Sequence, residues 1–131
     1  MVRELDLIRW LAARNPSVGD DCAVVDLAPW GTLLVTTDSV LDGVHARWDE
    51  HGPEVFGYKA VARGLSDVAA MGGEPFAAFL AVSLPPGTSA EQAHAIVHGA
   101  ERTGCPLLGG DTATGPTAWV VGTVLGRAHP V

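Results

Sequence analysis

The first part of the chain shows a helical pattern followed by two β patterns. Apolar residues recur at helical spacing between Leu5 and Leu11, which predicts a short amphipathic helix over residues 4–13. Residues 22–27 and the β-branched run 32–37 predict two strands, and the proline-containing turn between them indicates a hairpin. Few apolar residues follow, so we predict a polar loop over residues 38–52.

Helices and strands alternate in the rest of the chain. A helical stripe predicts a helix over residues 53–71, and Ser89 with Gln92 forms a capping-box pattern that begins a second helix. Apolar runs at 76–84 and 119–125 predict two further strands. The order helix, β, β, α, β, α, β predicts an α+β fold, in which a mostly antiparallel four-stranded sheet carries helices on one face.

The strand predicted over residues 76–84 is apolar on both faces. Ala78 and Leu80 lie on one side, and Ala77 and Phe79 lie on the other. Helices on one face of a single sheet leave its opposite face uncovered. We therefore expect the second face to pack against another copy of the chain, sheet to sheet.

Composition and charge narrow the functional classes. The 131 residues are 47% hydrophobic, so we expect one domain over residues 1–131 with a real core. A net charge of −7 disfavours nucleic acid and anionic membranes as partners. Charged residues interrupt the N-terminal segment, and no apolar run reaches the ~20 residues of a membrane span, so we expect a cytoplasmic protein. Cys22 and Cys105 form no CxxC motif and are expected to be reduced core residues.

Acidic residues collect where apolar strands begin or end. Asp20 and Asp21 precede the first predicted strand, Asp38 ends the second, and Asp111 follows an apolar pair and two glycines. If these strand ends converge, their carboxylates need a cation, and oxygen ligands together with phosphate suit magnesium. The alternative is that each aspartate caps a turn.

Other candidate residues give only weak evidence for a functional site when each is considered alone. Gly110 could let the backbone approach a phosphate, although the pattern of a Walker A loop is missing. His45 is either solvated or a phosphate ligand, and Asp67 either pairs with Arg63 or faces a ligand. The two histidines of the second helix could form a zinc pair, but the exposed face of an amphipathic helix explains them better.

Six segments are more specific together than any one of them. They are GDDCA (19–23), TTDS (36–39), DGVH (42–45), YKA (58–60), LSDVAAMG (65–72) and GGDT (109–112). This ordered set resembles the N-terminal domain of thiamine-monophosphate kinases, within the wider aminoimidazole ribonucleotide synthetase superfamily. The resemblance covers nearly the whole chain.

The resemblance implies ligands, cofactors and partners. It implies that the cofactors are Mg²⁺ and ATP, that the acceptor is thiamine monophosphate, and that two copies form a homodimer whose strands close a barrel. Gly110 and Asp111 would contact the nucleotide, and His45 would bind the thiamine phosphate. The implied metal ligands are Asp21, Thr36, Thr37, Asp38, Asp67 and Asp111.

The implied activity is direct transfer of a phosphoryl group from ATP to thiamine monophosphate. The resemblance also implies a second, larger α/β domain, which we expect to be absent from this chain. Two alternatives therefore stay open. The chain could be a non-catalytic module for dimerisation or for binding magnesium and nucleotide, or it could belong to another ATP-dependent synthetase of the superfamily.

Overall fold

The computed structural model describes residues 3–19 and 21–128. Within them, helices and strands form an α+β fold, as predicted. Their bounds are α1 Glu4–Arg14, β1 Ala23–Asp26, β2 Thr32–Leu41, α2 Trp48–His51, α3 Pro53–Ala70, β3 Gly73–Leu84, α4 Ala90–Glu101, β4 Leu107–Thr114 and β5 Trp119–Ala128. The capping box of α4 forms as predicted: the Ser89 hydroxyl accepts from the Gln92 amide, and the Gln92 side chain accepts from the Ser89 amide.

The five strands form one mixed sheet in the order β1-β2-β5-β3-β4. The pairs β1–β2, β2–β5 and β3–β5 are antiparallel, and β3–β4 is parallel. The prediction of four strands is wrong, because β4 forms where the pattern suggested only a glycine turn. Gly110 pairs with Leu80 at so close an approach that a Cβ on Gly110 would collide with the Leu80 carbonyl oxygen.

Strand β2 runs beyond its predicted end at Thr37. Its residues pair with β5 from Leu33 to Leu41, so Asp38 lies in the middle of a strand. The predicted loop over residues 38–52 is wrong for the same reason, and it also contains the short helix α2. Pairing with a full-length neighbour overrides the polar character of this segment.

The core lies between the sheet and the helices α3 and α4. Its largest fully buried side chains come from both layers: Leu34, Val40, Phe56, Val61, Val68, Ile96, Val120 and Val124. The helix α3 approaches β5 so closely that a Cβ on Gly122 would overlap the Ala60 carbonyl. The apolar pattern of the sequence places Tyr58 and Val97 on the buried faces of α3 and α4, and this is wrong, since each is about 40% exposed. Glycine and alanine fill those contacts instead, because close packing of backbones favours small residues.

The opposite face of the sheet carries half-buried apolar side chains, among them Leu33, Val35, Phe79, Val121 and Leu125. In the part of the chain that the structure describes, no helix packs over this face. The helix α1 has no buried residue. No helix among the described residues is long and apolar enough to cross a membrane.

Candidate functional site

Two carboxylates predicted from separate motifs meet between β2 and α3. The side chains of Asp38 and Asp67 face each other, and the Thr36 hydroxyl donates to Asp67 Oδ2 at 2.9 Å. Thr36 and Asp38 lie on the helix-covered face of β2, and Asp67 lies where α3 crosses that strand. Asp67 therefore points toward β2 rather than along its own helix.

The Asp38 carboxyl is strongly perturbed. Burial, then the hydrogen bond and negative charge of Asp67, raise the pKa of Asp38 to about 6, while the charge of Arg63 opposes this rise. The Asp38 side chain is 19% exposed. Among the described residues, its buried Oδ2 atom finds no hydrogen-bond partner. A buried oxygen without a donor is costly in a folded protein, and it marks a position that a cation or a proton would satisfy.

Arg63 contacts Asp38 rather than Asp67. Its Nη2 atom lies 3.8 Å from Asp38 Oδ1, and its Nη1 atom donates to the carbonyl oxygen of Ser39. The alternative in which Asp67 pairs with Arg63 along α3 is therefore wrong. Both residues point to β2, where the buried aspartate of the strand attracts the guanidinium.

Asp21 lies just before β1, beside Cys22. Burial, followed by the charges of Asp67, Asp21 and Asp38, raises the pKa of the Cys22 thiol to about 11. The thiol is consequently protonated and unreactive near neutral pH. Cys22 and Cys105 are both buried free thiols, as predicted. Asp20 lies outside the described residues.

Two of the other candidate ligands lie elsewhere. The Thr37 hydroxyl is on the opposite face of β2, where it lies 3.3 Å from the Thr123 hydroxyl. Asp111 is on β4, three strand positions from β2 in the sheet order. At about 4.8 Å for each strand spacing, that separation is roughly 14 Å. One copy of the chain therefore does not bring Asp111 to the Asp38–Asp67 pair.

The paired carboxylates fit magnesium better than a metal held by protein ligands alone. No group of three or more His, Cys, Asp or Glu side chains could hold a metal ion within residues 3–19 and 21–128. Magnesium keeps several waters and usually takes one or two carboxylates together with substrate phosphates. Asp38, Asp67 and the Thr36 hydroxyl, with an unpartnered buried oxygen among them, supply such a set.

His45 lies in the loop after β2 and has a defined tautomer. Its Nδ1 atom accepts a hydrogen bond from the Leu41 amide at 3.0 Å. The proton of the neutral ring is then on Nε2, which is free to donate. The Lys59 ammonium group donates to the His45 carbonyl oxygen at 2.8 Å. A donor and a positive charge therefore lie together, which favours an anionic ligand.

A cavity of about 470 Å³ opens between α4 and the strands β3 and β4. Leu80, Val82 and Leu84 form apolar walls, and His94 and Asp111 add polar groups. The sequence pattern places His94 on the exposed face of its helix. This is correct, but that face also borders the cavity, which could be recognised only with β4 as a strand. His98 lies 3.6 Å from Glu101 on the same helix.

Residues 19–128 match the family model described as AIR synthase related protein, N-terminal domain, and the chain belongs to this family. Its relatives include thiamine-monophosphate kinases. The one from Synechococcus elongatus is 35% identical over 116 residues, which are 86% of this chain and 36% of the relative. The one from Corynebacterium glutamicum is 34% identical over 131 residues, which are 95% of this chain and 40% of the relative.

Solved structures agree with this family. Thiamine monophosphate kinase from Aquifex aeolicus has a TM-score of 0.80 and 27% identity, with 97% of this chain and 44% of that chain covered. A structure described as AaThiL complexed with AMPPCP and TMP has a TM-score of 0.84 and 28% identity over the same shares. The chain thus spans about two-fifths of the length of these relatives.

Proposed function

We propose that this chain is the ATP- and magnesium-binding domain of a cytoplasmic thiamine-monophosphate kinase, which phosphorylates thiamine monophosphate to thiamine diphosphate with ATP. The observation that carries the proposal is the half-buried Asp38–Asp67 pair, in a chain whose relatives are named for this activity. Because those relatives are more than twice as long, the proposed activity belongs to an enzyme that adds a second domain.

In this proposal, Asp38, Asp67 and the Thr36 hydroxyl hold magnesium. The two carboxylates already face each other in a half-buried position, and the Thr36 hydroxyl orients Asp67. Bound magnesium would neutralise charge on the phosphate oxygens and hold the reacting groups in line. The acceptor is itself a phosphate, so no residue is assigned as a general base.

The cavity beside β4 is the proposed site of the nucleotide. Its volume of about 470 Å³ lies in the range of small-ligand pockets, and apolar walls with a few polar groups suit a planar base. Gly110 exposes its backbone there, and Asp111 follows it. A solved relative was described with the ATP analogue AMPPCP and with TMP, which supports these ligand classes.

The acceptor phosphate is assigned to His45. The Nε2–H group of His45 points away from its bonded Leu41 amide, and Lys59 adds a positive charge to the same loop. These groups would bind and orient a phosphate at the end of β2, on the strand that also carries Asp38.

A homodimer would explain three separate features. The open face of the sheet is apolar, β1 pairs only with residues 32–35 of β2, and β4 has β3 as its sole neighbour among the described strands. Closing two sheets into a barrel would place the β4 edge of one copy beside residues 36–41 of the other. Asp111 of the partner subunit would then lie one strand spacing from Asp38.

The proposal is tested by incubating the chain with ATP, Mg²⁺ and thiamine monophosphate and measuring thiamine diphosphate by chromatography. Turnover that disappears in Asp38→Asn supports the kinase. A stable dimer that binds magnesium and nucleotide without turnover, alone and with the second domain supplied, would instead favour the non-catalytic module.

A further inference from the structure

We propose that Arg63 competes with the divalent cation for Asp38 and thereby sets the cation affinity of the site. The inference rests on the proposed magnesium site and adds a residue that none of the recognised motifs contains. The contact that carries it is the 3.8 Å approach of Arg63 Nη2 to Asp38 Oδ1.

The guanidinium is held beside the carboxylate from two directions. Its Nη1 atom donates to the Ser39 carbonyl oxygen, and its Nη2 atom faces Asp38. Both contacts are on β2, while the side chain starts from α3. At 43% exposure, the Arg63 side chain also has an open path to solvent. It can therefore leave the carboxylate without disturbing the core.

The contact between Arg63 and Asp38 differs from an ordinary surface ion pair because other carboxylates lie around Asp38. Asp67 faces Asp38 from α3, and the negative charges of Asp67, Asp21 and Asp38 all act on the neighbouring Cys22 thiol. Among the ion pairs of the described residues, Arg63 supplies the only basic group that reaches any of these three carboxylates. Lys59, one turn earlier on α3, is engaged with the His45 carbonyl oxygen.

A cation on Asp38 would be repelled by the guanidinium. Two positive groups within about 4 Å of one buried carboxylate oppose each other strongly, because a partly buried site screens charge less than water does. Cation binding at Asp38 therefore requires Arg63 to withdraw, and removing Arg63 should make binding tighter. A purely structural role for Arg63 predicts the reverse, since its loss would loosen β2 and α3.

The experiment is a calorimetric titration of the chain with Mg²⁺. Arg63→Gln should lower the dissociation constant about tenfold, and Arg63→Lys, which keeps the charge, should stay nearer the unchanged chain. Arg102→Gln is the matched control: it removes the same charge from an ion pair with Glu54, and it should change the constant less than about twofold.

Unchanged or weaker binding in Arg63→Gln, with binding abolished in Asp38→Asn, would overturn this inference and leave the magnesium site standing. Binding that also survives Asp38→Asn would remove both. If Arg63→Gln does not fold, NMR of arginine side chains in the unchanged chain gives the answer. Added Mg²⁺ should shift the Arg63 Nε signal and leave Arg102 in place, and an unmoved Arg63 signal would overturn the proposal.

Discussion

The two halves of the candidate site differ in how much of their structure the chain itself supplies. The Asp38–Asp67 pair is fixed by the packing of α3 on β2, at the border of the core. The Gly110–Asp111 segment lies on an exposed edge strand whose only partner in the described sheet is β3. Packing within the chain thus positions Asp38 and Asp67 before any ligand binds. Gly110 and Asp111, in contrast, expose their backbone and carboxylate to solvent, where a ligand or a second copy of the chain could bind.

The largest expected effect is on Mg²⁺ binding, and it distinguishes Asp38 from Asp111. Asp38→Asn should weaken Mg²⁺ binding and lower kinase turnover by at least about 100-fold in monomer and dimer alike, because the pair lies within one chain. Asp111→Asn should weaken Mg²⁺ binding only where the chain is dimeric. Calorimetry above and below the dimer dissociation constant measures both. Equal losses for Asp111→Asn at every concentration would contradict the barrel arrangement.

Substitutions of two strand glycines would compare the packing of β5, at the centre of the sheet, with that of the edge strand β4. Gly122→Ala on β5 should destabilise the fold by about 3 kcal/mol, since its Cβ would overlap the Ala60 carbonyl of α3. Gly109→Ala on β4 is the matched control, because its Cβ would make only ordinary contact with Phe79, and it should cost less than about 1 kcal/mol. Urea denaturation measures both, and similar losses would show that β4 is packed as tightly as the centre of the sheet.

The pH dependence of the free energy of unfolding should reveal the raised pKa of Asp38. The pKa of Asp38 is raised to about 6 in the folded chain, above its ordinary value of 3.8. The folded state therefore holds a proton that the unfolded state has lost, and the free energy of unfolding should fall as pH rises from about 4 to about 6. Urea denaturation across this range should show that fall in the unchanged chain and not in Asp38→Asn. A flat profile in the unchanged chain would contradict the raised pKa.

The smallest expected effect concerns the helix beside β4. Ser89→Ala removes the hydroxyl that accepts from the Gln92 amide and should cost about 1 kcal/mol. The first turn of α4 would open, and amide exchange there should accelerate while the Asp67 turn of α3 stays protected. Equal acceleration in both helices would mean that the two regions unfold together. Thr88→Ala, one residue earlier, is the neighbouring control: it removes a hydroxyl that donates to the Pro85 carbonyl oxygen but leaves the capping box intact, so exchange in the first turn of α4 should not accelerate.

Local patterns predicted much of the fold and half of the site. The capping box at Ser89 and the amphipathic pattern of α3 are properties of neighbouring residues, so they could be read directly. The strand character of Gly110 and the extension of β2 through Asp38 could not, because both depend on partners far along the chain. The convergence of Asp38 and Asp67 followed from a motif resemblance, whereas the contact of Arg63 required the packed structure.

The parallel pairing of β3 with β4 has a consequence for the order of folding. Parallel neighbours cannot be joined by a tight hairpin, so the chain must complete the whole α4 crossover before Gly110 meets Leu80. Such a contact closes a long loop and forms slowly compared with the β1–β2 hairpin. The glycine-rich strand should thus form after β3 and α4, and later than the local β1–β2 hairpin, so the segment proposed to hold the nucleotide depends on the crossover helix for its order.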